Sequence, residues 1–139
     1  MIVVDTNVVS ELMKAEPSST VQAWVIERGR RELCTTAITV AEILYGIERL
    51  AEGKRRRTLR EAAVGVFSRF VEQILPFDAA AATVYAEIVD RRDRRGAPIS
   101  GFDAQIAAIC RTHSASLATR NITDFADVGV ELLDPWTSQ

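Results

Sequence analysis

The chain has 139 residues, 47% of them apolar and 26% charged, the profile of one ordinary globular domain rather than a disordered or fibrous protein. No apolar run approaches the ~20 residues that cross a bilayer. The formal net charge of −2 argues mildly against a nucleic-acid partner.

A first strand candidate begins already at Ile2, which leaves no room for a secretory leader. Ile2–Asp5 is β-branched and apolar on both faces, as a strand inside a parallel sheet must be. Thr6–Met13 starts a helix directly behind it. Pro17-Ser18-Ser19 breaks the chain, and Val21, Trp24, Val25 and Arg28 then follow helical spacing. Leu33–Ile38 is the second strand, with Cys34 inside it. Val40, Ile43, Leu44, Ile47 and Leu50 recur at three and four, predicting an amphipathic helix that Gly53 ends. Leu59, Ala63, Val66, Phe67, Phe70, Val71 and Ile74 carry a third helical pattern across residues 54–74. Leu75–Asp78 is a short strand or extended link. Ala79–Arg95 is an Ala-rich helix closed by Gly96. Ser100–His113 is a helix with Phe102, Ile106, Ile109, Cys110 and His113 on its inner face. Ser116–Thr119 and Val130–Leu133 are the last strands.

Short apolar strands alternating with longer helices predict an α/β fold, a parallel sheet with helices on both faces. One domain spans residues 1–135, with 136–139 as a tail. Cys34 and Cys110 lie far apart in apolar surroundings and suit a reducing cytoplasm, not a disulfide.

Four acids, Asp5, Glu42, Asp103 and Asp124, stand where a strand hands over to a helix or where a helix begins. Each alone has a structural explanation. Thr39-Val40-Ala41-Glu42 is spaced as a capping box, Ser100 to Asp103 and Asn121 to Asp124 have the same spacing, and Asp5 could cap the next helix. Topology weighs against capping as the whole account. In a parallel sheet, helices that follow strands and helices that precede them all begin near the carboxyl edge, where open α/β folds bind ligands. Four uncompensated carboxylates in one small volume would drive each other to protonate unless a cation joined them. The natural guest is a hard ion with oxygen ligands, Mg²⁺ or Mn²⁺. Setting the four aside, the rest of the chain carries +2, so a basic rim around an acidic pit is compatible with the composition.

Thr6, Asn7, Thr119 and Asn121 are short polar groups suited to supporting these acids, though ordinary turn chemistry would also explain Thr6 and Asn7. Gly46, one turn beyond Glu42, avoids crowding that carboxylate. A lone histidine on an inner helix face offers no Ser–His or Cys–His nucleophile. Metal-assisted phosphodiester hydrolysis is the reaction that this set supports best.

The blocks IVVDTNVVSEL at the N-terminus, TVAEILYGI around Glu42, GFDAQIAAIC around Asp103 and LATRNITDF ending at Phe125 together resemble the PIN-domain family. Within it they are similar to the VapC and FitB-like toxin ribonucleases of bacterial type II toxin–antitoxin pairs. The resemblance implies a three-layer α/β/α sandwich around a mostly parallel sheet of four to five short strands, and Mg²⁺- or Mn²⁺-dependent endoribonuclease activity. By motif position, Asp5, Glu42, Asp103 and Asp124 would be its catalytic and metal-site residues. Asp5 and Asp103 would be the firmest ligands and Asp124 more a metal- or water-orienting group. Thr6, Asn7, Thr119 and Asn121 would support them. It also implies a homodimer and a small cognate antitoxin. The antitoxin's C-terminal segment would run over the active site and its N-terminal part would bind operator DNA.

Arg91, Arg92, Arg94 and Arg95 form the densest basic cluster, suited either to RNA phosphates or to a helix C-terminus. Arg120, inside the TRN block, is the better single candidate for a phosphate contact. Lys54–Arg57 open a helix, where the dipole does not favour cations, and so could meet an anionic partner. Tyr45 falls off the inner stripe of its helix, on surface open to a second copy or an antitoxin. Two rivals remain. One is a haloacid-dehalogenase-like phosphatase with Asp5 as nucleophile, which would want a second Asp where Asn7 stands. The other is a non-catalytic nucleic-acid or partner-binding domain whose acids only cap helices.

Overall fold

The computed structural model describes residues 1–137. Its elements are β1 (Ile2–Val4), α1 (Thr6–Leu12), α2 (Ser19–Arg28), β2 (Leu33–Thr36), α3 (Ala37–Glu48), α4 (Lys54–Phe70), β3 (Gln73–Leu75), α5 (Ala79–Arg94), α6 (Gly101–Thr112), β4 (Ser116–Ala118) and β5 (Leu132–Leu133). Every strand pairing is parallel, in the order β3-β2-β1-β4-β5. From β1 the chain winds outward to β2 and β3, then crosses back to build β4 and β5 on the other flank. The direction of winding therefore reverses between β1 and β4, and a crevice opens at their carboxyl ends.

Strand alternation divides the core. Ile2, Val4, Leu33 and Ala118 face one layer with Val8, Val9, Trp24, Ile43, Ile47 and Val66 from α1–α4. Val3, Cys34 and Leu117 face the other with Ile88, Ile106, Ala107, Ile109 and Cys110 from α5 and α6. This is the expected sandwich with five strands. Both cysteines are buried and free, and burial pushes the Cys34 thiol to about 11 and that of Cys110 further up. Native protein at neutral pH is therefore expected to resist alkylation at both positions, with both thiols reacting in denaturant. Rapid labelling of either under native conditions, read by intact mass, would contradict this packing.

Several local expectations are corrected. α4 stops at Phe70, and Ile74 belongs to β3 rather than to the helix. In the short link before the edge strand the helical spacing of Val71 and Ile74 persists, but the backbone pairs with β2. Phe102 lies in the first turn of α6, outside the packed stretch of that helix, and is 53% exposed. His113 caps the far end of α6 and is exposed, at the sheet edge opposite the acids. Arg56 and Arg60 of α4 close on Glu48 of α3, so part of the basic helix start already has an internal anionic partner. No helix among the described residues is long and apolar enough to cross a membrane.

Candidate functional site

Asp5 follows β1 directly, beside the switch point, and is only 4% exposed. Its Oδ1 accepts the Thr6 N–H at 2.8 Å, so it does cap α1. Its Oδ2 accepts the Thr119 hydroxyl at 2.8 Å from the end of β4. Asn7 knits the same crevice: its amide donates to Thr119 Oγ1 at 3.2 Å and, more weakly, to Asp5 Oδ2 at 3.4 Å. Its carbonyl accepts the Arg120 N–H at 3.3 Å. The Asn121 N–H donates to Thr119 Oγ1 at 3.0 Å. Asn7 and Thr119, two of the four expected supporting residues, thus fasten the β1 end to the β4 end around one carboxylate.

Glu42 is not part of a capping box. Thr36 is the N-cap of α3, its hydroxyl accepting the Thr39 N–H at 3.1 Å, which places Glu42 in the second turn. There the carboxylate serves no backbone amide; its Oε1 accepts the Thr6 hydroxyl at 3.0 Å. The capping explanation thus fails for Glu42. Gly46 does not relieve crowding, since an added Cβ there would meet nothing within 4 Å; it borders an apolar groove with Met13, Ile43, Ile47 and Leu59. Asp103 is in the first turn of α6, whose N-cap Ser100 accepts the Asp103 N–H at 3.2 Å. Asp124 is exposed on a short 3-10 turn after β4.

Asp5, Glu42 and Asp103 line one cavity of about 430 Å³ at the carboxyl edge. Asp124 flanks it, close enough to Asp103 to raise that carboxyl electrostatically. Burial is the main cause that lifts Asp5 from 3.8 to about 6; its hydrogen bonds oppose the rise, and the charges of Asp103 and Glu42 add to it. Glu42 and Asp103 are likewise raised, chiefly by burial. Among the described residues none of the four acids makes a salt bridge. A compensating charge is that of Arg92, which lowers the Asp103 carboxyl but is outweighed there by burial and by Asp124.

Its shape is looser than expected. Among the described residues no three His, Cys, Asp or Glu side chains stand close enough to clasp an ion as they are. The acids ring a cavity instead of closing on a point. This donor set still fits a small hard cation, because Mg²⁺ keeps several waters and takes one or two carboxylates plus substrate phosphate oxygens. Asp5, with Asp103 and Glu42 facing the same space, could hold it.

The expected basic surface divides. Arg92 is buried, with Nε donating to Ala97 O at 2.6 Å and Nη1 to Asp124 O at 2.9 Å and Ala126 O at 3.0 Å. It anchors the turn that carries Asp124 and is buried with its N–H groups spent on main-chain carbonyls, so it is corrected from an RNA contact to a structural clamp. Arg91 and Arg95 are exposed but share Asp127, at 2.9 and 2.8 Å. Of the arginines expected to meet RNA, Arg120 alone is among the described residues that line the cavity. Sequence reasoning missed Ser10, Glu11, Lys14 and Trp136, which also line it. Glu11 is buried, accepting Lys14 Nζ and the Ser18 N–H, both at 2.9 Å, which holds its carboxyl below the usual range. The i, i+3 spacing of Glu11 and Lys14 was the one available signal, and it does not say that the pair faces the site.

Residues 2–131 match the PIN domain family. The chain is 38% identical over 137 residues to VapC ribonuclease Y4jK of Sinorhizobium fredii, covering 98% of each chain. It is 36% identical to Toxin FitB of Neisseria gonorrhoeae, covering 98% of this chain and 99% of that one. Among solved structures, that of FitAB bound to an IR36 DNA fragment superposes with a TM-score of 0.88 at 34% identity, covering 100% of this chain and 98% of the other.

Proposed function

Since this chain belongs to the PIN-domain family of VapC and FitB toxins, we propose that it is the toxin of a toxin–antitoxin pair, a divalent-metal-dependent endoribonuclease acting in the cytoplasm. The observation that carries the reading is Asp5: a buried carboxylate at the switch point, facing Glu42 and Asp103 and, among the described residues, in no salt bridge with Lys or Arg. Capping α1 accounts for one Asp5 oxygen but not for three carboxylates facing one cavity, and a bound Mg²⁺ or Mn²⁺ would relieve their mutual repulsion. When bound, such an ion supplies Lewis acidity toward a phosphoryl oxygen and an acidified water.

This chain's own residues do the rest. Asp5 and Asp103, with Glu42, hold the cation. Asp124, on its clamped turn, orients water at the rim. Thr119 and Asn7 fix the Asp5 carboxylate in one rotamer, and Thr6 does the same for Glu42. Arg120 meets substrate phosphate. The phosphatase alternative loses support, because Asn7 stands where a second Asp would be wanted and its amide donates to Thr119 and Asp5.

By analogy with FitAB on DNA, a small cognate antitoxin covers the site and the complex sits on operator DNA. The exposed Tyr45 and Phe102, which line a cavity with Ala41 and Glu42, are together with the exposed Leu44 the surface we assign to a second copy in a homodimer. Antitoxin-free protein is expected to cleave RNA with Mg²⁺ or Mn²⁺ and to stop with EDTA. Cleavage unaffected by EDTA, or phosphate release from a monoester without RNA cleavage, would refute the proposal.

A further inference from the structure

We propose that Trp136 and Arg120 form a nucleotide subsite beside the acids, one that takes an unpaired base on the indole–guanidinium layer and its phosphate on the Arg120 fork. The inference rests on the ribonuclease reading and adds to it a recognition element outside the family match, which ends at residue 131.

The chain places Trp136 there deliberately. β5 runs parallel to β4, so the residues after Leu133 emerge at the same edge as the acids. A turn then brings the chain over the cavity: Asp134 Oδ1 accepts the Trp136 N–H at 2.9 Å, and Asp134 O accepts the Thr137 N–H at 3.3 Å. The indole is partly buried against the core on α1's side of the sheet, which fixes its orientation, yet it also lines the acid cavity. The Arg120 guanidinium lies over it, 5.0 Å from the ring centroid.

Charge separates Arg120 from its neighbours. Lys14, the other cation lining the cavity, is tied to Glu11 at 2.9 Å. Arg120 is exposed and, among the described residues, pairs with no carboxylate. A guanidinium ordered by an indole rather than by an acid keeps its N–H fork available for phosphate. An indole–guanidinium layer is also a platform on which any unpaired base can stack, whereas a base inside a duplex cannot reach it. Next to four carboxylates that repel the RNA backbone, this pair supplies the compensating attraction.

The test uses the full chain with a short RNA offered single-stranded or annealed to its complement. Affinity is read in EDTA by anisotropy of the labelled strand, and cleavage is read separately with Mn²⁺. Stacking losses on alanine substitution correspond to roughly 5- to 150-fold, so Trp136→Ala should raise Kd and KM for the single strand about tenfold or more. Trp136→Phe, which keeps ring and packing, should recover most of that. Arg120→Gln should weaken binding and flatten its salt dependence. Unchanged Kd and KM in Trp136→Ala, or equal affinity of wild type for duplex and single strand, would overturn the subsite while leaving the nuclease reading intact. Single-strand binding that needs Trp136, in a protein that cleaves nothing, would support the subsite and overturn the nuclease.

Discussion

Asp5→Asn is expected to lower RNA cleavage by ~10³-fold or more, several kcal/mol of lost transition-state stabilisation, and yet to stabilise the metal-free protein at pH 8. The second half follows from linkage. A carboxyl whose pKa rises from 3.8 to about 6 on folding binds its proton more tightly in the native state. Its stabilising contribution is complete below pH 3.8 and is lost as pH rises through about 6. At pH 8 the buried charge is a net burden, and Glu42 and Asp103, also raised, act in the same direction. Asparagine removes that charge and keeps the acceptor for Thr6 N–H. It cannot accept from Thr119, so the net gain is on the order of 1–2 kcal/mol, a few degrees in Tm. Saturating Mn²⁺ should reverse the order, because only the wild type binds it well. Thermal melts in EDTA and in Mn²⁺ measure both. A wild type more stable than Asp5→Asn in EDTA at pH 8 would show that the carboxylate carries no such burden.

Arg92→Ala is the second large effect, on stability before activity. It strips three carbonyls, Ala97, Asp124 and Ala126, of a buried charged donor. Orphaned buried groups and a lost clamp cost about 2–4 kcal/mol together. The turn bearing Asp124 loosens with them, so cleavage should fall by roughly tenfold in the protein that still folds. Arg92→Lys recovers little, since an ammonium lacks the planar fork. Arg91→Ala and Arg95→Ala remove only surface pairs with Asp127, worth less than about 1 kcal/mol. Urea denaturation of the set separates the two classes. Equal destabilisation by Arg91→Ala and Arg92→Ala would remove the clamp from the account.

The contrast shows which features could be read from residue order. A run such as Ile2–Val4, apolar on both faces, can only be a buried strand, and strand–helix alternation then dictates a parallel sheet whose helix starts share an edge. That is why the gathering of the acids at one edge is legible in residue order alone. Arginine is different. Arg91 to Arg95 have one composition, but their roles depend on helix phase and on a loop that arrives from residues 124–127. Helix ends mislead for the same reason: Thr39 is spaced to cap Glu42, but Thr36, three residues earlier, takes the role once β2 stops short of Ala37. Trp136 could not be placed at all, because its position depends on β5 pairing with β4 and on the Asp134 turn.

The central claim is that the cavity between Asp5, Glu42 and Asp103 holds a divalent cation. Crystals soaked in Mn²⁺ test it directly through anomalous scattering. The account predicts a peak in that cavity with Asp5 and at least one of Asp103 or Glu42 at about 2.1 Å, the remaining ligands being water. A cavity without a peak at saturating Mn²⁺, in crystals whose dissolved protein still cleaves RNA, would contradict it.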